Sequence, residues 1–185
     1  MRIISGSARG RQLKSPKGML TRPTLDSTRE SIFNILANNY GLAGSRVLDI
    51  FAGTGALGLE ALSRGASYCA FIDHYTRDLI RENAAMCGFE GHYDVYRMEV
   101  GRALAALEGQ TFHYIFADPP YNKNLVCHTL SSIFGYGFLD SDGLIIMEHC
   151  RQEPIADDPA YEVIREKTYG KETRVSFICR RQEGE

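Results

Sequence analysis

From residue 46 onward the sequence alternates short apolar runs with amphipathic stretches, and this alternation constrains the fold more than any other feature. The runs typical of strands are RVLDIF, YCAFID, YDVYRM, FHYIFAD and GLIIMEH, at 46–51, 68–73, 93–98, 112–118 and 143–149. The stretches between them predict helices at 55–65, 75–88, 101–109 and 124–135. Five strands separated by helices are the signature of a parallel sheet in an α/β fold.

The two ends of the chain follow other patterns. Near the C-terminus, YEVIREKTYG (161–170) and TRVSFICRR (173–181) predict an antiparallel hairpin that closes one sheet edge, which gives seven strands. Near the N-terminus, residues 2–4 and 12–13 are expected to pair around an SGSARG turn. TRPT then predicts a turn, and residues 25–40 predict an amphipathic helix whose Leu25, Ile32, Phe33, Ile35 and Leu36 share one side.

Length and composition indicate one globular domain, residues 25–185, that carries a basic N-terminal arm, residues 1–24. The chain has 185 residues, of which 44% are hydrophobic and 24% charged. No apolar run is long enough to span a membrane, and the N-terminus lacks the apolar core of a signal peptide, so a cytoplasmic protein is expected. The five scattered cysteines are predicted to be reduced thiols, and neither a metal site nor an obligate partner is expected, so we predict a monomer.

Charge is distributed unevenly along the chain. The net charge is −2, but residues 1–30 hold seven Lys or Arg against Asp26 and Glu30, a balance of +5. The remainder holds 14 basic and 21 acidic residues, a balance of −7. A basic arm on an acidic body predicts contact with a polyanion, although a solvated tail is an alternative interpretation.

A glycine-rich loop follows the first strand of the sheet. Residues 53–58, GTGALG, match GxGxxG, and Asp73 lies twenty residues after Gly53. Both features are typical of a dinucleotide fingerprint, so a nicotinamide or flavin site is one interpretation. The same glycines can also serve only for close packing of a helix on the sheet.

Acidic residues at the strand ends favour a different ligand. Asp49, at the end of the first strand, would repel a pyrophosphate but suits a ligand with an ammonium group, such as S-adenosylmethionine. Asp73 is placed to accept hydrogen bonds from ribose hydroxyls, and Glu99 to reach the adenine. Each acid alone can instead be a helix N-cap or a solvated charge. Together they predict a nucleoside ligand across the carboxyl ends of the strands.

The fourth strand ends in Asp118-Pro119-Pro120-Tyr121. Two prolines make a stiff loop whose backbone cannot donate hydrogen bonds. The residue before a proline is extended, which holds Asp118 out beyond the strand end. A carboxylate, free carbonyl oxygens and an aromatic ring on a rigid support are suited to hold a flat group with an amine. A stiff strand-ending turn with a packed tyrosine is the structural alternative.

These residues carry a family resemblance. VLDIFAGTGALGLEAL, FID and DPPY resemble Rossmann-like methyltransferases that use S-adenosylmethionine and methylate exocyclic amino groups. RIISGSARGRQLKSP, TRPTLDSTRESIFNIL and EKTYGKETRVSF narrow the resemblance to RsmD-type bacterial methyltransferases, which act on the N2 amine of a guanine in 16S ribosomal RNA. The resemblance covers nearly the whole chain, and it implies the Rossmann-like methyltransferase fold.

The resemblance, together with the residues, predicts three groups of site residues. The expected cofactor-binding residues are Asp49, Ala52, Gly53, Thr54, Gly55, Leu57, Asp73, Glu99 and Val100. The expected catalytic residues are Asp118, Pro119, Pro120 and Tyr121. The expected contacts to RNA are Arg9, Gly10, Arg11, Arg22, Thr24, Arg29 and, by stacking on the base, Tyr121. Arg29 has an alternative role, because it can pair with an acid and order the site instead.

The implied partner is 16S ribosomal RNA in a partly or fully assembled small subunit. The chain departs from the family pattern at three positions: Asp73 where Glu is frequent, Tyr75 where an acid often follows, and Glu99 where Asp or Asn is usual, which weakens the expected adenine contact. Four other functions stay open: a DNA adenine-N6 methyltransferase, a small-molecule or protein N-methyltransferase, a nicotinamide oxidoreductase, and a non-catalytic RNA-binding module.

Overall fold

The computed structural model describes residues 1–16, 23–121 and 123–182, without the side chains of residues 23–25. Helices and strands alternate along most of the chain. The helices are α1 (Pro23–Asn39), α2 (Ala56–Ser63), α3 (Arg77–Cys87), α4 (Val100–Ala106) and α5 (Leu125–Gly135). The strands are β1 (Arg46–Ile50), β2 (Tyr68–Ile72), β3 (Tyr93–Tyr96), β4 (Phe112–Ala117), β5 (Leu139–Cys150), β6 (Tyr161–Tyr169) and β7 (Thr173–Arg180).

The seven strands form one sheet in the order β3-β2-β1-β4-β5-β7-β6. Strands β1 to β5 are parallel, and β7 pairs antiparallel with both β5 and β6. The predicted mostly parallel sheet with a C-terminal hairpin is therefore confirmed. The strand order reverses between β1 and β4, and ligands of open α/β sheets bind at the carboxyl ends beside such a reversal.

Helices cover both faces of the sheet. On one face, α1, α2 and α3 pack on β1, β2 and β4, with the rings of Phe33 and Phe116 5.5 Å apart. On the other face, α4 and α5 pack around Ile50, Ile115 and Ile145. All five cysteines are free thiols. Among the helices of the described residues, none is long and apolar enough to cross a membrane.

Two element boundaries differ from the sequence-based expectation. Helix α1 begins at Pro23, two residues before the predicted start, and proline is favoured in a first helical turn because its missing N–H has no partner there anyway. Strand β5 begins at Leu139, four residues early, because Leu139 pairs with Phe112 across an irregularity in the β4–β5 register. The predicted apolar side of α1 is buried at Ile32, Phe33, Ile35 and Leu36. The fifth predicted residue, Leu25, is among those whose side chains the structure does not describe.

The described part of the N-terminal arm, residues 1–16, is docked on the domain and is not a solvated tail. Arg2 bridges Gln12 as in the predicted hairpin. The fully buried Glu60 in α2 accepts hydrogen bonds from the backbone N–H groups of Ile4 (2.8 Å) and Ser5 (3.0 Å). Because a buried carboxylate needs such donors, these bonds tie the arm to α2.

The last glycine of the GTGALG loop is required by close packing of α2 on the sheet. A Cβ atom at Gly58 would lie 2.4 Å from the ring of Phe71 and 2.5 Å from Sγ of Cys69. We expect Gly58→Ala to lower the free energy of unfolding by about 1–3 kcal/mol, the usual cost of overpacking. Urea denaturation monitored by circular dichroism measures this change.

The matched control is Gly101→Ala in α4, where the added methyl group meets no atom within 4 Å. Its unfolding free energy should rise by about 0.4–1 kcal/mol, because alanine restricts the unfolded chain more than glycine does. Equal effects of the two substitutions would contradict the packing role of Gly58.

Candidate active site

The loop between β1 and α2 is shaped by backbone conformations that side chains rarely adopt. Gly53 and Gly55 have φ angles of 56° and 79°, and Phe51 has a φ of 62° despite its side chain. Left-handed φ angles are strained for residues with a large side chain, and such strain clusters at functional sites. The Ala52 N–H donates to the Ile72 carbonyl at 3.0 Å, so this end of the loop is fixed against β2.

Asp73, directly after β2, organises this loop. Its Oδ2 accepts from the Gly53 N–H at 2.9 Å, and its Oδ1 accepts from the N–H groups of Tyr75 (2.8 Å) and Thr76 (3.0 Å). The carboxylate therefore faces the glycine loop and the start of α3 at once. Part of its role is the local capping that the sequence left as an alternative.

Asp49 lies behind the loop, almost completely buried in β1. Its Oδ2 accepts from the Gly58 N–H in the first turn of α2 at 3.0 Å. Burial, which outweighs that hydrogen bond, raises the pKa of Asp49 to about 7, and the charge of Asp73 raises it further. Because ionising this carboxyl is costly in the free protein, a nearby cation would stabilise its charged form.

The sheet register brings further carboxyls to the same edge. Phe71, Asp49, Phe116 and Ile146 lie side by side on β2, β1, β4 and β5. Because side chains alternate along a strand, the residues two positions later point to the same sheet face. On β2, β4 and β5 these are Asp73, Asp118 and Glu148, whereas Phe51, with its positive φ, packs against the core on the opposite face.

Asp118 and Glu148 form a carboxyl pair at the tips of β4 and β5. The Asp118 side chain is exposed to the cleft, yet the protein atoms around the cleft desolvate its carboxyl and raise its pKa to about 8, with smaller contributions from the charges of Glu148 and Asp49. Burial also raises the pKa of Glu148. None of the three acids forms an ion pair within the described residues.

The tyrosine of the DPPY loop is bonded to this pair. The Tyr121 hydroxyl donates to Oε1 of Glu148 at 3.0 Å and lies 3.1 Å from Oγ1 of Thr173 in β7. Burial is the main cause that raises the pKa of Tyr121, so the hydroxyl keeps its proton. Sequence reasoning missed Glu148, and the only signal was an acid at the end of the fifth strand, IIMEH.

Two cavities meet at Asp118. The larger, about 620 Å³, runs along the carboxyl ends of β1 to β4 and is lined among others by Phe51, Asp73, Glu99, Val100, Asp118 and Pro120. Glu99 is exposed at the N-cap position of α4, but its side chain makes no capping hydrogen bond, so the capping alternative does not hold there. The smaller cavity, about 90 Å³, is lined by Thr28, Arg29, Ile32, Ala56, Leu57, Asp118 and Glu148.

The predicted RNA-contact residues divide into exposed and buried groups. Arg9 and Arg11 are exposed on the arm. Gly10 between them has a φ of 84° with open space around it, so the turn requires glycine for its backbone conformation. Arg29 is only 4% exposed, and its guanidinium donates to the Arg2 carbonyl and to Asp26. Arg29 therefore takes the ordering role that was its alternative, and because it also lines the smaller cavity, its contact with RNA stays a prediction.

Arg22 lies outside the described residues, and of Thr24 only the backbone within α1 is described. Thr54, in the glycine loop, accepts through its carbonyl oxygen from Nδ2 of the buried Asn83 at 2.9 Å. Within the described part of the chain, no group of three or more His, Cys, Asp or Glu is placed to hold a metal ion.

Comparison with known proteins places the chain in a family. The family model described as Conserved hypothetical protein 95 matches residues 1–178. The Escherichia coli protein named Ribosomal RNA small subunit methyltransferase D is 35% identical over 175 residues, 92% of this chain and 86% of that protein. The chain belongs to this RsmD-type family.

Other members resemble the RsmD-type chain over its full length. The Bacillus subtilis protein YlbH is 42% identical over 175 residues, which are 92% of this chain and 94% of that protein. The solved structure of yhhF from Escherichia coli superposes with a TM-score of 0.85 at 33% identity and covers 97% of each chain. The predicted Rossmann-like methyltransferase fold is thereby confirmed.

The raised pKa of Asp118 predicts that its charge destabilises the free RsmD-type protein. An acid whose folded-state pKa lies above its unfolded value binds more protons when folded, so stability falls as pH rises toward the folded pKa. We expect Asp118→Asn to raise the thermal unfolding midpoint more at pH 9 than at pH 5. Differential scanning fluorimetry at both pH values measures the difference, and Asp142→Asn, at an exposed position of β5, is the control. An equal shift at both pH values would show that Asp118 is not desolvated.

Proposed function

We propose that this RsmD-type protein transfers a methyl group from S-adenosylmethionine to the N2 amine of a guanine in 16S ribosomal RNA. The observation that carries the proposal is the position of Asp118, which lines both the larger and the smaller cavity on a rigid Pro-Pro loop. A methyl donor in one cavity and an acceptor amine in the other would meet at this carboxyl. The relatives named Ribosomal RNA small subunit methyltransferase D support RNA as the substrate.

The residues of the larger cavity fit S-adenosylmethionine, whose sulfonium makes its methyl group electrophilic. The volume of this cavity, about 620 Å³, suits a nucleoside cofactor. Asp73 follows β2 and Glu99 follows the neighbouring strand β3, and their carboxylates offer acceptors for the ribose and the adenine. Desolvated carboxyls that form no ion pair within the described residues favour a cationic ligand and disfavour the pyrophosphate of a nicotinamide cofactor, which argues against the oxidoreductase alternative.

The remaining cofactor residues are assigned by their places in the loop. Gly53, Thr54 and Gly55 bring the backbone close to the ligand, and Ala52 and Leu57 flank them. Asp49, behind the loop, stabilises the ligand's ammonium through its charge. Val100 opens α4 beside Glu99 and contributes an apolar wall for the adenine.

Catalysis rests on placement of a weak nucleophile. The lone pair of the guanine amine is delocalised into the ring, so attack on a methyl group requires the nitrogen to be held in line and made pyramidal. Asp118 and a carbonyl oxygen of Pro119 or Pro120 accept the two N–H bonds. Placement supplies most of the rate gain, and the carboxylate stabilises the developing positive charge. Because the pKa of Asp118 is raised in the free protein, the carboxylate that these contacts need is favoured by the positive charge of the bound methyl donor.

Tyr121 supports the flipped base. A guanine in folded RNA must leave its stack to reach the cleft, at a cost that an aromatic partner offsets. Base stacking on a tyrosine contributes about 1–3 kcal/mol per base. The hydrogen bonds of the hydroxyl to Glu148 and Thr173 restrict the ring to one orientation before the base arrives. We propose further that residues 1–24 form the RNA-binding arm and that the protein acts as a monomer on a partly or fully assembled small subunit.

The first experiment is transfer of labelled methyl from S-adenosylmethionine to four acceptors in parallel: unmodified small subunits, naked small-subunit RNA, DNA and a protein extract. We expect label in the subunits or RNA, recovered as N2-methylguanosine after digestion. Asp118→Ala should abolish transfer while cofactor affinity, measured by calorimetry, largely survives, and Asp142→Ala should behave as wild type. Label in DNA as N6-methyladenine would replace the proposal with the DNA alternative, and turnover by Asp118→Ala would refute the mechanism.

The exposed arginines of the arm should govern the salt dependence of RNA binding. Each phosphate contact contributes about 0.7–0.9 to the slope of log affinity against log salt. We expect the Arg9→Ala/Arg11→Ala double variant to lower that slope by about 1.4–1.8 units, measured by fluorescence anisotropy between about 50 and 200 mM salt. Arg181→Ala, which breaks an exposed ion pair with Asp157, is the control. Unchanged affinity of the double variant at low salt would remove the arm from the RNA interface.

A further inference from the structure

We propose that Glu148 reads the acceptor base by accepting a hydrogen bond from guanine N1–H, beside the N2 amine that Asp118 holds. This inference rests on the proposed function and extends it from the chemistry of transfer to the choice of base. Glu148 belongs to neither the DPPY loop nor the glycine loop, and the proposed transfer reaction gives its carboxyl no role of its own.

The backbone register fixes the two carboxyls as neighbours. Ala117 pairs with Met147, so the next residues along the parallel strands, Asp118 and Glu148, stand side by side. Both line the smaller cavity, whose other walls come from α1 and the start of α2. Glu148 is only partly buried, so its carboxyl remains accessible to a ligand from the cleft.

The hydrogen-bonding pattern of guanine fits this pair. On its Watson–Crick edge, guanine presents two adjacent donors, N1–H and the N2 amine. Adenine presents its amine next to N1, which is an acceptor. A carboxylate opposite the N1 of adenine would face a lone pair and remain unsatisfied, and unpaired buried polar groups are costly. Two neighbouring carboxyls therefore select guanine over adenine, and a site that hydrogen-bonds a substrate N–H rejects analogues without it.

The bond from Tyr121 leaves capacity for this contact. The hydroxyl donates to Oε1 of Glu148, and a carboxylate can accept several hydrogen bonds over its two oxygens. The competing explanation is that Glu148 only positions the ring of Tyr121. The two roles differ in one measurable property, because loss of ring positioning slows every base alike, whereas loss of the N1–H contact changes the preference between bases.

The test uses the substrate that the labelling experiment identifies, RNA or small subunit, with guanine or 2-aminopurine at the methylated position. 2-Aminopurine keeps the amine but has an acceptor at N1. The wild-type protein should show kcat/KM at least roughly tenfold higher for guanine. In Glu148→Gln, the amide can donate to a bare N1, so the preference should fall at least roughly tenfold. Tyr121→Phe, which removes only the hydroxyl, should be slower but keep the wild-type preference.

Each outcome supports or overturns the contact between Glu148 and guanine N1–H. Equal rates of the wild-type protein on both bases would overturn the inference without any variant. An unchanged preference in Glu148→Gln, or the same change in Tyr121→Phe, would reduce Glu148 to a positioning residue. Cofactor affinity and the thermal midpoint of Glu148→Gln confirm that the site is intact. If the wild-type protein methylates no guanine N2 in RNA, the proposed function itself fails, which is a different result.

Discussion

The chemistry of the cleft depends on a set of carboxyls that crowd the carboxyl ends of the parallel strands and that form no ion pair within the described residues. Asp49, Asp118 and Glu148 lie near the carboxyl ends of β1, β4 and β5, and desolvation by the surrounding protein is the main cause that raises the pKa of each. Such an arrangement costs stability in the free protein, since a buried charge without a partner is unfavourable. A positively charged ligand relieves that cost, so the fold itself favours a sulfonium or ammonium compound.

The arm and the glycine loop are joined by buried hydrogen bonds. The buried Asn83 in α3 accepts from the Lys14 N–H at 2.8 Å, and its Nδ2 donates to the carbonyl oxygens of Lys14 and Thr54 at 3.0 and 2.9 Å. One amide side chain thus joins the arm to the glycine loop. Glu60 makes a second connection through the backbone of Ile4 and Ser5. Exposed arginines on the arm are thereby held at a fixed distance from the cleft.

The sequence predicted the sheet well because period-two and helical patterns are local. All seven strands and the terminal hairpin follow from runs of apolar residues, and the errors lie at ends such as Leu139, where a register irregularity extends β5. The register between β4 and β5 depends on contacts that are distant in sequence, so local patterns could not predict that Glu148 lies beside Asp118. The burial of Arg29 could not be predicted for a similar reason: its charge resembles that of Arg9 and Arg11, and only the tertiary contacts with Arg2 and Asp26 show that it is internal.

The separation of charge also explains how an acidic protein can act on a polyanion. The cleft holds carboxyls and would repel a phosphate, whereas the arm presents Arg9 and Arg11 to solvent. The carboxyls of the cleft therefore favour a neutral base over a phosphate as the part of a nucleotide that enters it. In the proposed function, RNA affinity would depend on salt through the arm, while base choice would depend on the hydrogen-bonding groups of the cleft. The acidic side chains of the cleft would thus repel the phosphate backbone of the RNA and leave the base as the part that enters.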